Sequence, residues 1–145
     1  MNEATIERYM NPRLVTIDSK SNAKDIAKVM DQNNVSSIVI TGDNSEIIGI
    51  FTERDMVKII SRNLQPEKII AISPPVIYID KDMSVDQASE VMMKNKVRHL
   101  LVRDPTSKEI VGIMTNTDLV RYLRNLTAIR EFEPILEAAS IETEY

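Results

Sequence analysis

A mixed α/β (α+β) fold made of two strand-helix-strand-strand-helix repeats is what this 145-residue sequence predicts. Three observations lead there. The stretches Gly49-Ile50-Phe51-Thr52-Glu53-Arg54-Asp55 and Gly112-Ile113-Met114-Thr115-Asn116-Thr117-Asp118 share glycine, isoleucine, threonine and aspartate at the same places, 63 positions apart (118 minus 55). Each half carries apolar residues at helical spacing between short runs of β-branched and aliphatic residues. Finally, the repeat offset drifts from 62 to 63 at two polar turns, where a hairpin tip absorbs an insertion that a strand would not.

In chain order, Val15-Thr16-Ile17-Asp18 aligns with Ile77-Tyr78-Ile79-Asp80, and first strands are predicted over 15–17 and 76–79. Polar residues then lead into an amphipathic helix: Ala23, Ile26, Ala27 and Met30 fall at i, i+3, i+4 and i+7, and Val85, Ala88 and Met92 repeat most of that stripe. Ser21 and Ser84 are the expected caps. Strands follow over 35–40 and 47–51, then over 97–102 and 110–114, joined by Gly42-Asp43-Asn44-Ser45 and Asp104-Pro105-Thr106-Ser107, residues that suit hairpin turns. After each shared motif a second helix is read from Met56, Ile59 and Ile60, and from Leu119, Tyr122, Leu123 and Leu126. Most methionines, among them Met30, Met56, Met92, Met93 and Met114, are assigned to core filling. The resulting division is a first repeat over 5–63, a second over 64–128 and an acidic extension over 129–145, where from Glu131 onward five Glu occur without Lys or Arg. A single repeat is marginal alone, so the two are expected to pack about a pseudo-twofold axis with a cleft between them.

Composition narrows the function classes. Without cysteine there is no disulfide framework, thiolate metal site or thiol nucleophile, and one histidine makes a histidine metal cage improbable. A net charge of −4 and a pI near 5.1 oppose a general nucleic-acid footprint, which needs a basic face. The polar N-terminal residues offer neither a signal peptide nor a membrane span, and a cytoplasmic location is expected. No Ser/His/Asp, lysine-based or paired-carboxylate constellation stands out, so catalysis is not expected.

The doubled motif has two readings. A threonine just before a helix, with an acidic residue three positions later, forms a capping box. The same turn can also hold a ligand: helix N-terminal amides and the helix dipole favour a phosphate, and a carboxylate accepts both hydroxyls of a ribose. Glycine three positions before each threonine permits close approach of backbone or ligand.

These residues resemble the tandem cystathionine-β-synthase (CBS) domain pair, or Bateman module, over about residues 5–126, with Gly49/Thr52/Asp55 and Gly112/Thr115/Asp118 fitting its signature. The resemblance implies a non-enzymatic regulatory sensor that binds AMP, ADP or ATP, with no cofactor or metal, in the cleft between the repeats. It further implies signalling to a separate effector protein and association into a homodimer; the acidic pI already opposes nucleic acid as a partner, and no apolar run points to a membrane. Carried over by position, Asp55 and Asp118 hold ribose hydroxyls, while Thr52 and Thr115 meet phosphate or ribose. Thr16-Ile17 and Tyr78-Ile79, with strand starts at Val35 and Val97, sandwich adenine. Arg98-His99 lies where relatives carry phosphate-binding cations; the first repeat has Ser36-Ser37 there but adds Arg54 inside its motif. Two rivals remain on sequence grounds: a nucleotide-free protein-interaction scaffold whose motifs are only caps, and a binder of S-adenosylmethionine or nucleic acid.

Overall fold

The computed structural model describes residues 4–64 and 75–127. The expected acidic extension over 129–145 lies outside the described residues. The elements run α1 (Ile6–Tyr9), β1 (Thr16–Asp18), α2 (Ala23–Asn33), β2 (Ser37–Thr41), β3 (Ile47–Thr52), α3 (Glu53–Arg62), β4 (Tyr78–Asp80), α4 (Val85–Asn95), β5 (His99–Arg103), β6 (Ile110–Thr115) and α5 (Asn116–Thr127). They form two compact units. One holds the described residues from Pro12 to Tyr78, the other those up to Asn11 and from Ile79 on.

In the first unit the sheet order is β1-β2-β3. The strand β1 runs parallel to β2, with Thr16 opposite Val39 and Ile17 opposite Ile40, and β2 pairs antiparallel with β3, from Ser37 opposite Thr52 onward. Being central, β2 is covered on both faces, which is why it reads as the unbroken run Ile38-Val39-Ile40, each 1% exposed. Ala23, Ile26 and Met30 of α2 pack with Ile38, Ile40, Phe51 and Ile59 into one core. Asn22, rather than the expected Ser21, caps α2 by accepting the Asp25 N–H at 2.9 Å. Ser21 is occupied in the preceding turn, where its N–H donates to the Asp18 carbonyl at 3.0 Å.

The expected strand starts at Val35 and Val97 move two residues on, to Ser37 and His99. Both valines instead close the preceding helix. Asn34 and Lys96 take left-handed conformations, and the Val35 and Val97 N–H groups donate back to the Met30 and Met92 carbonyls at 3.0 and 3.1 Å. This is a Schellman ending, in which the residue after the left-handed position satisfies an orphan helix carbonyl.

The second unit repeats the plan with sheet order β4-β5-β6 and the central run Leu100-Leu101-Val102 fully buried. Ser84 caps α4 as expected, accepting the Gln87 N–H at 3.1 Å while Gln87 accepts the Ser84 N–H at 3.0 Å. Met30, Met92 and Met114 are buried, but Met93 is 80% exposed and fills no core. To this unit the chain adds residues 4–11, of which the sequence division placed 5–11 with the first repeat. The Ile6 N–H donates to the Met83 carbonyl at 2.9 Å, the Ile6 side chain is fully buried, and Asn11 and Ile113 exchange two backbone bonds of 2.9 Å.

That pairing explains one motif glycine. A Cβ on Gly112 would lie 2.7 Å from Met10 Sδ and 2.8 Å from the Asn11 carbonyl oxygen, so the missing side chain makes room for backbone. We expect Gly112→Ala to lower stability by about 1–2 kcal/mol, because the thioether can turn aside but the carbonyl must shift. Chemical denaturation with an unchanged midpoint would contradict this packing.

Both hairpins bulge at the same place. Register shifts between Ile40 and Thr41 and between Val102 and Arg103 leave Ile48 and Val111 as the extra residues, just before Gly49 and Gly112. The offset change lies beyond the bulge. In the first tip the Ser45 N–H reaches the Gly42 carbonyl three residues back, whereas in the second the Lys108 N–H reaches Asp104 four residues back. Ser45 and Lys108 both adopt positive φ, 61° and 64°, so the extra residue widens the turn and spares the strands.

Candidate ligand-binding site

In each unit the second hairpin strand delivers its last residue, Thr52 or Thr115, directly into a helix. Thr52 is extended (φ −122°, ψ 169°), the conformation that starts a helix from a strand. Across the strand pair Ser37 lies opposite Thr52, and His99 opposite Thr115. One more stitch joins the same segments: the first helical amide, of Glu53 or Asn116, donates to the Ser36 or Arg98 carbonyl, each at 3.1 Å. Residues 36–37 with 52–55, and 98–99 with 115–118, are thus held as one edge in each unit.

The aspartates sit inside these edges. Asp55 Oδ2 accepts the Thr52 N–H at 2.9 Å and its hydroxyl at 3.4 Å; Asp118 Oδ2 does the same for Thr115 at 2.8 and 3.4 Å. Both are buried, 1% and 7% exposed. The capping role is therefore present in both copies. Their second oxygens differ in partner: Lys58 Nζ stands 3.6 Å from Asp55 Oδ1, and Arg121 Nη2 donates to Asp118 Oδ1 at 3.0 Å. Burial pushes the Asp118 carboxyl above its ordinary pKa, opposed by the Thr115 N–H, the Arg121 charge and the Thr115 hydroxyl. Sequence reading missed Lys58 and Arg121, although a cation three residues after each aspartate was visible in the chain.

Among the other expected contacts the structure separates strand faces. Ile79 is 3% exposed and belongs to the core, leaving Tyr78, 38% exposed, on the open side of β4. Likewise Ile17 and Val35 pack against the first core while Thr16 is exposed. Val97 is half-buried beside its helix ending, Ser36 and Arg54 are exposed, and Ser37 is buried. The Arg98-His99 pair splits as strand alternation requires, Arg98 outward and His99 inward. Burial first, and the neighbouring Arg98 charge second, lower the His99 pKa to about 4, so its imidazole is neutral near pH 7. The cation of this edge is Arg98.

Among the described residues no group of three or more His, Cys, Asp or Glu is placed to hold a metal ion, and no helix is long and apolar enough to cross a membrane. The CBS domain pattern matches residues 6–62 and 68–125. This chain belongs to the CBS domain family. An uncharacterized protein of Methanopyrus kandleri is 32% identical over 137 residues, 92% of this chain and 69% of the relative. Among solved structures, the CBS domain pair of protein MJ0100 in complex with 5-methylthioadenosine and S-adenosyl-L-methionine superposes with a TM-score of 0.77 at 23% identity, covering 86% of this chain and 98% of that one. A CBS domain protein from Pyrobaculum aerophilum complexed with AMP gives 0.72 at 20% identity, over 79% and 89% of the two chains. The fold is thus that of a tandem CBS domain pair.

Proposed function

We propose that this CBS pair is a non-enzymatic sensor of adenosine derivatives that signals to a separate partner protein. The observation that carries the reading is the doubled turn itself: twice, a buried carboxylate three residues into a helix is tied to the strand edge that bears Ser36-Ser37 or Arg98-His99. In this reading the Asp55 and Asp118 carboxylates take ribose hydroxyls, Thr52 and Thr115 meet phosphate or ribose, Arg54 and Arg98 offset phosphate charge, and Thr16 in one repeat and Tyr78 in the other offer base contacts. Ligands reported with structures of the same fold, AMP in one and two sulfur-bearing adenosine derivatives in the other, support the nucleoside class. AMP, ADP or ATP remains our first choice because each repeat supplies an exposed arginine beside its turn.

Thermal unfolding of the purified chain against AMP, ADP, ATP, S-adenosylmethionine and NAD tests this. Ligand at 100 times its dissociation constant adds about 2.7 kcal/mol of stability. A selective rise names the ligand class. No rise with any of them favours the second reading, a nucleotide-free interaction scaffold, which the caps already formed at both aspartates support.

Homodimerisation belongs to the same proposal. Val57 and Ile60 on α3 are 62% and 73% exposed, and Val120 and Leu123 at the corresponding positions of α5 are 64% and 56% exposed. Apolar side chains repeated on one stripe of an exposed helix mark an association surface. We expect Leu123→Asp to shift the sedimentation coefficient from dimer to monomer; a wild-type chain already monomeric at micromolar concentration would remove the dimer.

A further inference from the structure

Asp118, Arg121, Tyr122 and Asn125 fall at i, i+3, i+4 and i+7 of α5 and so share one helical face. That face grips the end of α1. Arg121 Nη2 donates both to Asp118 Oδ1 and to the backbone carbonyl of Tyr9. The Tyr9 ring meets Tyr122 edge-to-face at 5.3 Å, and Asn125 Nδ2 donates to the Tyr9 hydroxyl at 3.2 Å. Two residues later Asn11 pairs with Ile113, on the strand that leads into the motif, and at Pro12 the chain enters the first unit. The first repeat is built differently: the positions 63 earlier are Asp55, Lys58, Ile59 and Arg62, and Ile59 is buried in that repeat's own core.

We propose that Arg121 is a ligand-displaced latch, through which occupancy of the second repeat's aspartate loosens residues 9–11, the connector into the first repeat. This rests on the ribose reading of Asp118. Because Oδ2 is taken by the Thr115 N–H and hydroxyl, Oδ1 is the oxygen that an incoming diol competes for, and Arg121 is its present partner. A guanidinium nitrogen has two hydrogens, here one for Asp118 and one for Tyr9. Displacing the first disturbs the second. The Arg121 side chain is 55% exposed and has solvent to move into, whereas the Asp118 side chain, 9% exposed, stays in place. Binding linkage is reciprocal, so a chain whose latch is already open must bind the diol more tightly.

Hydrogen–deuterium exchange and calorimetric titration of the full chain test this, with AMP and S-adenosylmethionine as diol probes and Arg121→Met as the variant. Saturating the wild type is expected to speed exchange at residues 9–11. Arg121→Met is expected to show that faster exchange without ligand and to bind the same probe about fivefold more tightly or better. Binding to the wild type with unchanged exchange at 9–11, or weaker binding by Arg121→Met, overturns the latch and leaves the ribose reading standing. No binding of either probe by the wild type overturns both.

Discussion

Asp118→Ala is expected to weaken AMP binding by about 1.5–3 kcal/mol, roughly 10–150-fold, the scale of a charge-assisted hydrogen bond lost from a protected site. The Asp118 side chain is 9% exposed, and its carboxyl lies above its ordinary pKa mainly because of burial. Ribose hydroxyls approaching Oδ1 bring donors to a charge that water reaches poorly, so the gain exceeds that of the same contact at an open surface. The substitution also removes the acceptor of the Thr115 N–H, which on its own lowers helix stability by about 1 kcal/mol. Asp118→Asn separates the two effects. It keeps a carbonyl oxygen for the Thr115 N–H but replaces the charged second oxygen, which accepts from the ligand, by an NH2 donor. Unchanged AMP affinity in a folded Asp118→Ala protein would remove this residue from the binding site and return the motif to a helix cap.

Acidification from about pH 7 to about 4 is expected to withdraw on the order of 2–3 kcal/mol of stability through His99. The sign follows from the direction of the shift. The folded pKa, about 4, lies below the ordinary 6.5, so in that window the unfolded chain binds the proton that the native imidazole refuses. Stability is complete above the unfolded value and falls as the pH drops through the window. Asp118 opposes this near the acid end, since a carboxyl raised by burial takes up its proton in the folded state first. Asp104 adds a later loss: Lys81, with the Ser107 and Thr106 amides, holds it near 2, so its contribution disappears only below its ordinary 3.8. Urea midpoints of the wild type and of His99→Gln, followed across this range, should diverge, with the variant far flatter. Parallel curves would sink the assignment to His99.

Periodicity exposed most of the fold. Helices were legible because one buried face imposes a spacing of 3.6 on residues such as Ala23, Ile26 and Met30, and central strands because burial on both faces leaves an unbroken apolar run such as Leu100-Leu101-Val102. Residues 4–11 were not, because a short polar segment held by backbone bonds to Met83 and Ile113 leaves no periodic trace. The strand starts slipped by two residues for a related reason. Valine has high strand propensity, yet at 35 and 97 the left-handed residues Asn34 and Lys96 commit it to the helix ending. At the site, repetition identified Thr52, Asp55, Thr115 and Asp118, but no spacing rule reveals which neighbour holds the second carboxylate oxygen. Only the folded chain shows that Arg121 spans the motif and Tyr9.

The displaced hairpin tips have a practical consequence. Each strand pair carries its motif turn at one end and its tip at the other, with a bulge between. The second tip is one residue longer than the first, yet His99 stands opposite Thr115 as Ser37 stands opposite Thr52. A fluorescent label or a short peptide tag inserted between Ser107 and Lys108 therefore enters where a difference in length leaves the strand register unchanged, at the end of the strands remote from the motif.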